Sequence, residues 1–190
     1  MRDTIRAFIA LELSEDVKRA LADYVAPLRK LGGQVSWVKP ENAHFTLKFL
    51  DEVTPQQIQA LAEMLTSICR RFAPFEAEVA ESGCFPNERH PRVLWVGIRE
   101  ASGKMEELAG QVENACHRMG FAKENRKFSP HVTIARVRQG QAPAIVKSMR
   151  EQPFPRHEMI FRECTLMKSE LHSAGSIYTP LHKFAFVSHQ

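Results

Sequence analysis

The sequence predicts an α+β protein of two similar lobes, each with an antiparallel sheet and flanking helices, and with a cleft between the two sheets. Two observations lead to this prediction. Segments with strand periodicity are interspersed with four segments of helical periodicity. In addition, the pattern His, apolar, Thr, apolar occurs twice, and a helix and further extended segments follow each copy. Because the copies are almost half a chain apart, they fit a duplicated lobe better than a solenoid repeat, and we expect residues 1–190 to form one domain of two duplicated lobes, each carrying one copy.

The first half of the chain contains strand signals on both sides of an amphipathic helix and then leads into a second helix. Ser14 is the predicted N-cap of the first helix, Gly32-Gly33 ends it, and Pro27 indicates a kink or an earlier end. Thr54-Pro55 is typical of a helix start, with Thr as N-cap and Pro at the first helical position. The predicted strands of this half are residues 5–13, 35–38 and about 43–50.

The second half contains the same kinds of signals. Residues 83–91 predict a polar loop, and Ser102 is expected to cap a third helix that ends at Gly120. Residues 143–150 predict a short fourth helix, and Ser173–Ser176 indicate the turn of a hairpin. The predicted extended segments are residues 74–79, 92–98, a strand that begins at 131, and residues 157–172 and 177–187.

The composition is that of an ordinary globular protein with a modest positive charge. The formal net charge is +4 and the pI is about 9.0, which suits an anionic ligand, but a surface that happens to be basic is the better explanation of the charge taken alone. The four cysteines form no C-x-x-C pair and no zinc-finger spacing, so we interpret them as reduced and mostly buried. No signal-peptide pattern and no apolar run long enough for a bilayer occurs. We therefore expect a cytoplasmic monomer without membrane contact.

The repeated pattern reads His44-Phe45-Thr46-Leu47 in its first copy and His131-Val132-Thr133-Ile134 in its second. Because successive side chains of a strand point to opposite faces, the His and Thr of each copy share one face and the apolar pair shares the other. Two such strands would bring two imidazoles and two hydroxyls together on one face of a sheet.

This set of groups suits acid–base chemistry on a phosphodiester. An imidazole has an ordinary pKa of about 6.5, so one histidine can accept a proton while the other donates one, and the hydroxyls can donate to phosphate oxygens. A strained 2′,3′-cyclic phosphate would need no metal for activation. A zinc site is less favoured, because neither motif carries a carboxylate at a neighbouring position of the same face. No G-x-S-x-G, P-loop or G-x-G-x-x-G motif occurs, and we expect no metal and no cofactor.

Two basic residues beside the motifs are candidates for substrate binding. Strand parity places Lys48 on the histidine face, where it could contact phosphate, although a solvated lysine at the strand end is equally consistent with the pattern. The same parity places Arg136 opposite His131 unless the strand ends or bulges there. Aromatic residues could stack on bases, although in strands they are more often core residues. These aromatic candidates are Trp37, Phe85, Trp95 and Tyr178.

At its two motifs the chain resembles the 2H phosphoesterase superfamily and, within it, the bacterial and archaeal RNA 2′,3′-cyclic phosphodiesterases, also called 2′-5′ RNA ligase-like proteins. The resemblance extends over nearly the whole chain. Beyond the motifs, it is carried by Arg6-Ala7-Phe8-Ile9-Ala10, residues 42–53, Arg92-Val93-Leu94-Trp95-Val96-Gly97, residues 128–136 and Tyr178-Thr179-Pro180-Leu181.

The resemblance implies a bilobal α+β fold with its active cleft between the lobes, and metal-independent hydrolysis of RNA 2′,3′-cyclic phosphate ends to 2′-phosphomonoesters. By motif position it implies His44 as proton donor and His131 as proton acceptor, with Thr46 and Thr133 holding the phosphate. The near-symmetric motifs alone do not assign donor and acceptor.

Relatives in this family also join tRNA halves through a 2′-5′ linkage, which is the reverse reaction. Two alternatives stay open at this point. One keeps the chemistry but acts on a small cyclic nucleotide, a 2′-5′ oligonucleotide or an ADP-ribose cyclic phosphate. The other is an RNA-end-binding module with little catalysis.

Overall fold

A computed structural model describes residues 4–124, 128–139, 141–172 and 175–188 of the chain. Strands and helices are interspersed along these residues, which confirms the α+β prediction. The strands are β1 (Ile5–Glu12), β2 (Val35–Trp37), β3 (His44–Val53), β4 (Phe75–Phe85), β5 (Val93–Arg99), β6 (His131–Val137), β7 (His157–Phe161), β8 (Glu163–His172) and β9 (Gly175–Ala185). The helices are α1 (Glu15–Arg29), α2 (Pro55–Cys69), α3 (Lys104–Arg118) and α4 (Pro143–Glu151), with a short 3-10 helix at Pro40–Asn42. None of these helices is long and apolar enough to cross a membrane.

The described strands form an antiparallel sheet in the order β7-β4-β5-β6-β3-β1-β8-β9, and β2 pairs with β6. The two motif strands, β3 and β6, are neighbours at its centre. A single register pair, Phe45 opposite Val132, joins them. The sheet therefore consists of two lobes, β3-β1-β8-β9 and β6-β5-β4-β7, which meet at a short seam.

The two lobes are not two contiguous halves of the chain. The C-terminal hairpin β8-β9 completes the lobe that begins with β1 and β3, whereas β4, which follows β3 in sequence, joins β5 and β6. The helices are exchanged as well. Helix α1 follows β1 but reaches the other lobe, where the Tyr24 hydroxyl lies 2.8 Å from the Ser82 hydroxyl of β4, and α3 follows β5 but contacts β3. The origin of the lobes by duplication stays a prediction.

The helices cover one face of the sheet and leave the other face open near the seam. On β1, Ile9 and Leu11 are fully buried in the main core together with the apolar residues of the helices. Phe8 and Ala10 alternate with them and belong to a separate small cluster on the opposite face. Because strand side chains alternate in this way, β1 has apolar residues on both faces.

The start of α3 differs from the sequence prediction, whereas the N-caps of α1 and α2, Ser14 and Thr54, agree with it. Pro27 does not end α1, which continues to Arg29; its missing N–H removes one hydrogen bond in the last turn. Helix α3 begins after Gly103, which adopts a left-handed backbone conformation, and not after Ser102. Thr54 caps α2 as predicted, with its side chain accepting the N–H of Gln57.

Two strand boundaries also differ. Strand β4 continues through Gly83 to Phe85, into the predicted loop, because the Trp95 ring of β5 lies directly over Gly83. A Cβ at residue 83 would come within 2.5 Å of that ring. The predicted extended run 157–172 is divided at Arg162 into β7 and β8, which pair with β4 and β1 respectively.

All four cysteines are free thiols, as predicted. Three are buried in the core and one, Cys84 on β4, is half-buried. The buried thiols are Cys69, Cys116 and Cys164.

The seam between the lobes is expected to be important for stability. Phe45 is only 3% exposed there, and replacing a buried Phe by Ala costs about 3 to 5 kcal/mol. We expect Phe45→Ala to lower the free energy of unfolding by this amount, measured by urea denaturation. Phe49→Ala is the matched control, because Phe49 is on the same strand but 55% exposed, and its cost should stay below about 1 kcal/mol. Equal losses in both variants would contradict a buried seam.

Candidate active site

The functional groups of the two motifs meet at the seam. Phe45 and Val132 face each other across it and are buried, at 3% and 0% exposure. Because β3 and β6 are antiparallel, the register about this pair sets the His of each motif across from the Thr of the other. All four of these side chains are half-buried on the face opposite the core. They are His44, Thr46, His131 and Thr133.

Both imidazoles are held in the same way. The Nδ1 atom of His44 lies 2.7 Å from the carbonyl oxygen of Asn42, and Nδ1 of His131 lies 2.7 Å from the carbonyl oxygen of Ser129. Since a carbonyl only accepts, each Nδ1 carries the hydrogen of this bond. The Nε2 atoms are then the nitrogens that accept a proton in the neutral ring and donate one in the charged ring.

The surroundings of His44 are aromatic. Its ring stacks on Phe8 with centroids 4.7 Å apart, and Tyr178 meets it edge-on at 5.2 Å. This burial lowers the pKa of His44, and it outweighs the opposing effect of the hydrogen bond to the Asn42 carbonyl. In the protein without ligand, the neutral form of His44 is therefore favoured more than in a free histidine.

The surroundings of His131 differ. Phe85 meets its ring edge-on at 5.0 Å and in turn packs against Trp95 at 5.2 Å. Trp95 lies across from Thr133 in the β5–β6 register, so it belongs to the cleft face. It is half-buried there and does not lie in the core, where aromatic residues of strands were expected.

Lys48 does not lie on the histidine face, and its prediction from strand parity is wrong. In the β1–β3 register, Ala10 pairs with Thr46 and Ile9 with Lys48, so Leu47 is an extra residue that forms a bulge. The bulge turns Lys48 to the helix side, where it is 6% exposed. There its ammonium donates to Glu113 of α3 at 2.9 Å and to the Ala122 carbonyl at 2.5 Å, so it belongs to the packing of β3 on α3.

A similar bulge on β6 moves Arg136 from the core face to the histidine face, the reverse of the change at Lys48. Trp95 pairs with Thr133 and Leu94 with Ala135, so Ile134 is the extra residue of β6. The shift returns Arg136 to the face of His131, where it is exposed. Among the described residues its guanidinium has no hydrogen-bond or ion-pair partner. A bulge of this kind is the condition under which the sequence places Arg136 on the face of His131.

The structure places the aromatic candidates on different faces. Phe85 and Tyr178 contact the histidines, whereas Trp37 pairs with the buried Ala135 on the other face, beside the Arg29 guanidinium. Sequence reasoning missed Phe8, because β1 is apolar on both faces and its pattern does not show which residue faces the cleft. The hydrogen-bond partners of the imidazoles are backbone carbonyls, so no residue type in the sequence indicates them.

The groups on the cleft face are two imidazoles, two hydroxyls and one guanidinium that has no partner among the described residues. These are groups that transfer protons and bind anions. Within the described parts of the chain, no three His, Cys, Asp or Glu side chains are grouped as a metal ion would require.

Comparison with known proteins links this geometry to one family. The family model described as LigT like Phosphoesterase matches the chain over residues 11–95 and again over 96–178. The RNA 2′,3′-cyclic phosphodiesterase of Thermotoga maritima is 34% identical over 182 residues, which are 96% of this chain and 96% of that protein. The enzyme of the same name from Methanothermobacter thermautotrophicus is 32% identical over 184 residues, 95% of this chain and 98% of its own.

Solved structures agree with the fold. The protein TT0787 of Thermus thermophilus matches with a TM-score of 0.78 at 28% identity, over 96% of this chain and 98% of its own. E. coli LigT complexed with 3′-AMP matches with a TM-score of 0.79 at 25% identity, over 98% of this chain and 100% of its own.

The packing of His44 predicts its titration. In the ligand-free protein its pKa should lie below the ordinary value of about 6.5, and inorganic phosphate should raise it, because a nearby anion stabilises the imidazolium. An NMR pH titration of the imidazole with and without phosphate measures both effects. Phe8→Ala, which exposes one face of the ring, should raise the pKa in the free protein. Titration of wild-type His44 at or above the ordinary value without ligand would contradict the burial argument.

Proposed function

The chain belongs to the LigT-like phosphoesterase family, and from this membership we propose that it hydrolyses RNA 2′,3′-cyclic phosphate ends to 2′-phosphomonoesters by two-histidine acid–base catalysis without a metal ion. One observation carries the proposal. Two imidazoles on neighbouring strands of different lobes are held by equivalent Nδ1 bonds of 2.7 Å, which leaves both Nε2 atoms for proton transfer. Relatives that match nearly the whole chain are named RNA 2′,3′-cyclic phosphodiesterases, which supports the substrate.

The reaction needs one proton accepted and one donated. The Nε2 atom of neutral His131 takes a proton from a water molecule, whose oxygen attacks phosphorus. The bond between phosphorus and O3′ breaks, and protonated His44 gives its Nε2 proton to the departing O3′. The phosphate stays on O2′. His44 ends neutral and His131 charged, and proton exchange with solvent resets the pair.

The threonines and one arginine would bind the phosphate. The Thr46 and Thr133 hydroxyls lie on the histidine face, each two residues beyond its His, and can donate to the non-bridging oxygens. Arg136 adds a positive charge on the same face, with no partner in the described part of the chain, and it would stabilise the negative charge that develops in the transition state. Lys48 has no part in this proposal, because its ammonium is bonded to Glu113 and the Ala122 carbonyl.

The same groups acting on a different nucleophile would form a 2′-5′ linkage. A 5′-hydroxyl in place of water would attack the cyclic phosphate and displace O3′. A smaller substrate is a second candidate, since the matching structure of E. coli LigT is a complex with a mononucleotide, 3′-AMP. Turnover of a short RNA with a cyclic end beside that of a cyclic mononucleotide distinguishes the two substrate classes.

Removal of either histidine tests the catalytic pair. We expect His44→Ala and His131→Ala each to lower kcat roughly 10²- to 10⁴-fold on an RNA with a 2′,3′-cyclic end, the usual contribution of one general acid or base. His117→Ala is the matched control, because His117 is exposed on α3 and also bonds through Nδ1 to a carbonyl, that of Phe121. It should keep wild-type activity. Unchanged hydrolysis in both motif variants would favour an RNA-end-binding module.

A chelator tests the role assigned to His131. If this imidazole activates the attacking water, the hydrolysis rate in excess EDTA should stay within about twofold of the rate without EDTA. A change of this size is far smaller than the roughly 10²- to 10⁴-fold loss expected when a catalytic group is removed. A loss of activity that Zn²⁺ or Mg²⁺ restores would overturn the metal-free mechanism.

A further inference from the structure

The surroundings of the two histidines differ at one equivalent position. This is the residue that pairs with the histidine on the neighbouring strand of its own lobe, β1 for His44 and β5 for His131. In the β1–β3 register Glu12 lies opposite His44, and in the β5–β6 register Gly97 lies opposite His131. Cross-strand neighbours have Cβ atoms roughly 4.5 to 5.5 Å apart. His44 therefore has a carboxylate-bearing neighbour on its own face of the sheet, and His131 has none at this position.

The glycine is required by close packing. A Cβ at Gly97 would lie 2.9 Å from the backbone carbonyl oxygen of Ala80 on β4, and a backbone atom in a sheet does not move aside easily. The difference between the two sites is therefore fixed by the fold and cannot be removed by a simple exchange of side chains.

The Glu12 carboxylate is ionised and fixed in position. Its Oε1 atom accepts the buried Thr165 hydroxyl at 2.9 Å and the Lys183 ammonium at 3.0 Å. Burial raises the pKa of Glu12, but the hydrogen bonds from Lys183 and Thr165 outweigh it, and the net shift is downward. Lys183 also binds Glu163 at 2.7 Å. One ammonium thus faces two carboxylates, and the cluster keeps a negative charge.

The other groups around His44 do not cancel this charge. The phenol of Tyr178 on β9 meets the ring edge-on and is not a cationic group. Lys18 of α1 acts against the imidazolium, but its ammonium is bonded to Glu15 at 2.9 Å. The Glu12 carboxylate is a charged group that raises the pKa of His44, and Lys18 is one that lowers it.

We propose that Glu12 is a positioning residue that stabilises the protonated form of His44 against the effect of its burial and so favours His44 as the proton donor of the pair. His131, with Gly97 opposite, has no carboxylate at the equivalent position. This inference rests on the proposed function and adds to it a physical origin for the two roles, which the near-symmetric motifs do not provide. Glu12 acts through His44, and no bond to it forms or breaks.

The test is the pH–rate profile of Glu12→Gln, which removes the charge and keeps the shape. The profile is that of kcat at saturating substrate, because the bound phosphate then stabilises the imidazolium of His44 against its burial. A donor His44 and an acceptor His131 give a bell-shaped profile, with loss at high pH when His44 loses its proton. We expect Glu12→Gln to move this high-pH limb downward by roughly half to one unit, the size of effect of a partly compensated charge. At low pH the variant should approach wild-type kcat, and the low-pH limb should stay in place.

Three further variants test the sign and the size of this shift. Lys183→Gln removes the ammonium that compensates Glu12 and should move the limb upward, opposite to Glu12→Gln. Glu163→Gln removes the other carboxylate that binds the Lys183 ammonium. Glu163 lies on β8, which is two strands away from β3. Its shift should be less than half that of Glu12→Gln. Glu12→Asp should restore part of the wild-type profile.

NMR titration of His44 and His131 measures the same effect without activity. In Glu12→Gln the pKa of His44 should fall and that of His131 should not change. An equal rate loss at every pH, equal movement of both limbs, or an unshifted His44 titration would overturn the proposal. Failure of the proposed function is a different result, namely a wild-type protein that does not hydrolyse cyclic phosphates.

Discussion

The pairing of β3 with β6 at Phe45 and Val132 is the constraint on which the rest of the site depends. Each lobe has its own strands and its own share of the core, and this register pair is where the motif strands of the two lobes meet. Because the two side chains are buried, the residues on either side of them must face away from the core. A shift of either strand by one residue would turn its own imidazole into the core and its own apolar residues into the cleft.

The exchange of elements between the lobes reinforces this seam. Helix α1 follows a strand of one lobe and packs on the other through Tyr24 and Ser82, and the C-terminal strands return to the lobe in which the chain begins. Separation of the lobes would therefore break the packing of α1 on the second lobe. It would also strain the chain connections that cross between the lobes. The fold thus keeps the histidines at a fixed separation although they belong to different lobes, which the proposed proton transfers at the attacking and departing oxygens of one phosphorus centre require.

The sequence was sufficient for the α+β class, for the placing of His44 and His131 on strands, and for the shared face of each His and Thr. It was insufficient for the residues beyond the threonines, because a bulge changes strand parity and neither Leu47 nor Ile134 carries a signal for one. The same kind of bulge moved Lys48 away from the cleft face and brought Arg136 onto it. Glu12 was also hidden, since only the register of β1 against β3 sets it beside His44.

In the proposed mechanism the seam brings one base and one acid to opposite sides of a phosphorus atom, and the position of the phosphate after turnover reports this directly. The decisive measurement is hydrolysis of an RNA with a defined 2′,3′-cyclic end in ¹⁸O-labelled water, with analysis of the product by ³¹P NMR and mass spectrometry. Attack by a water activated on His131, with O3′ leaving toward His44, predicts a single 2′-phosphomonoester with one labelled oxygen on phosphorus. A 3′-phosphate, a mixture of the two isomers, or recovery of unchanged cyclic phosphate would contradict it.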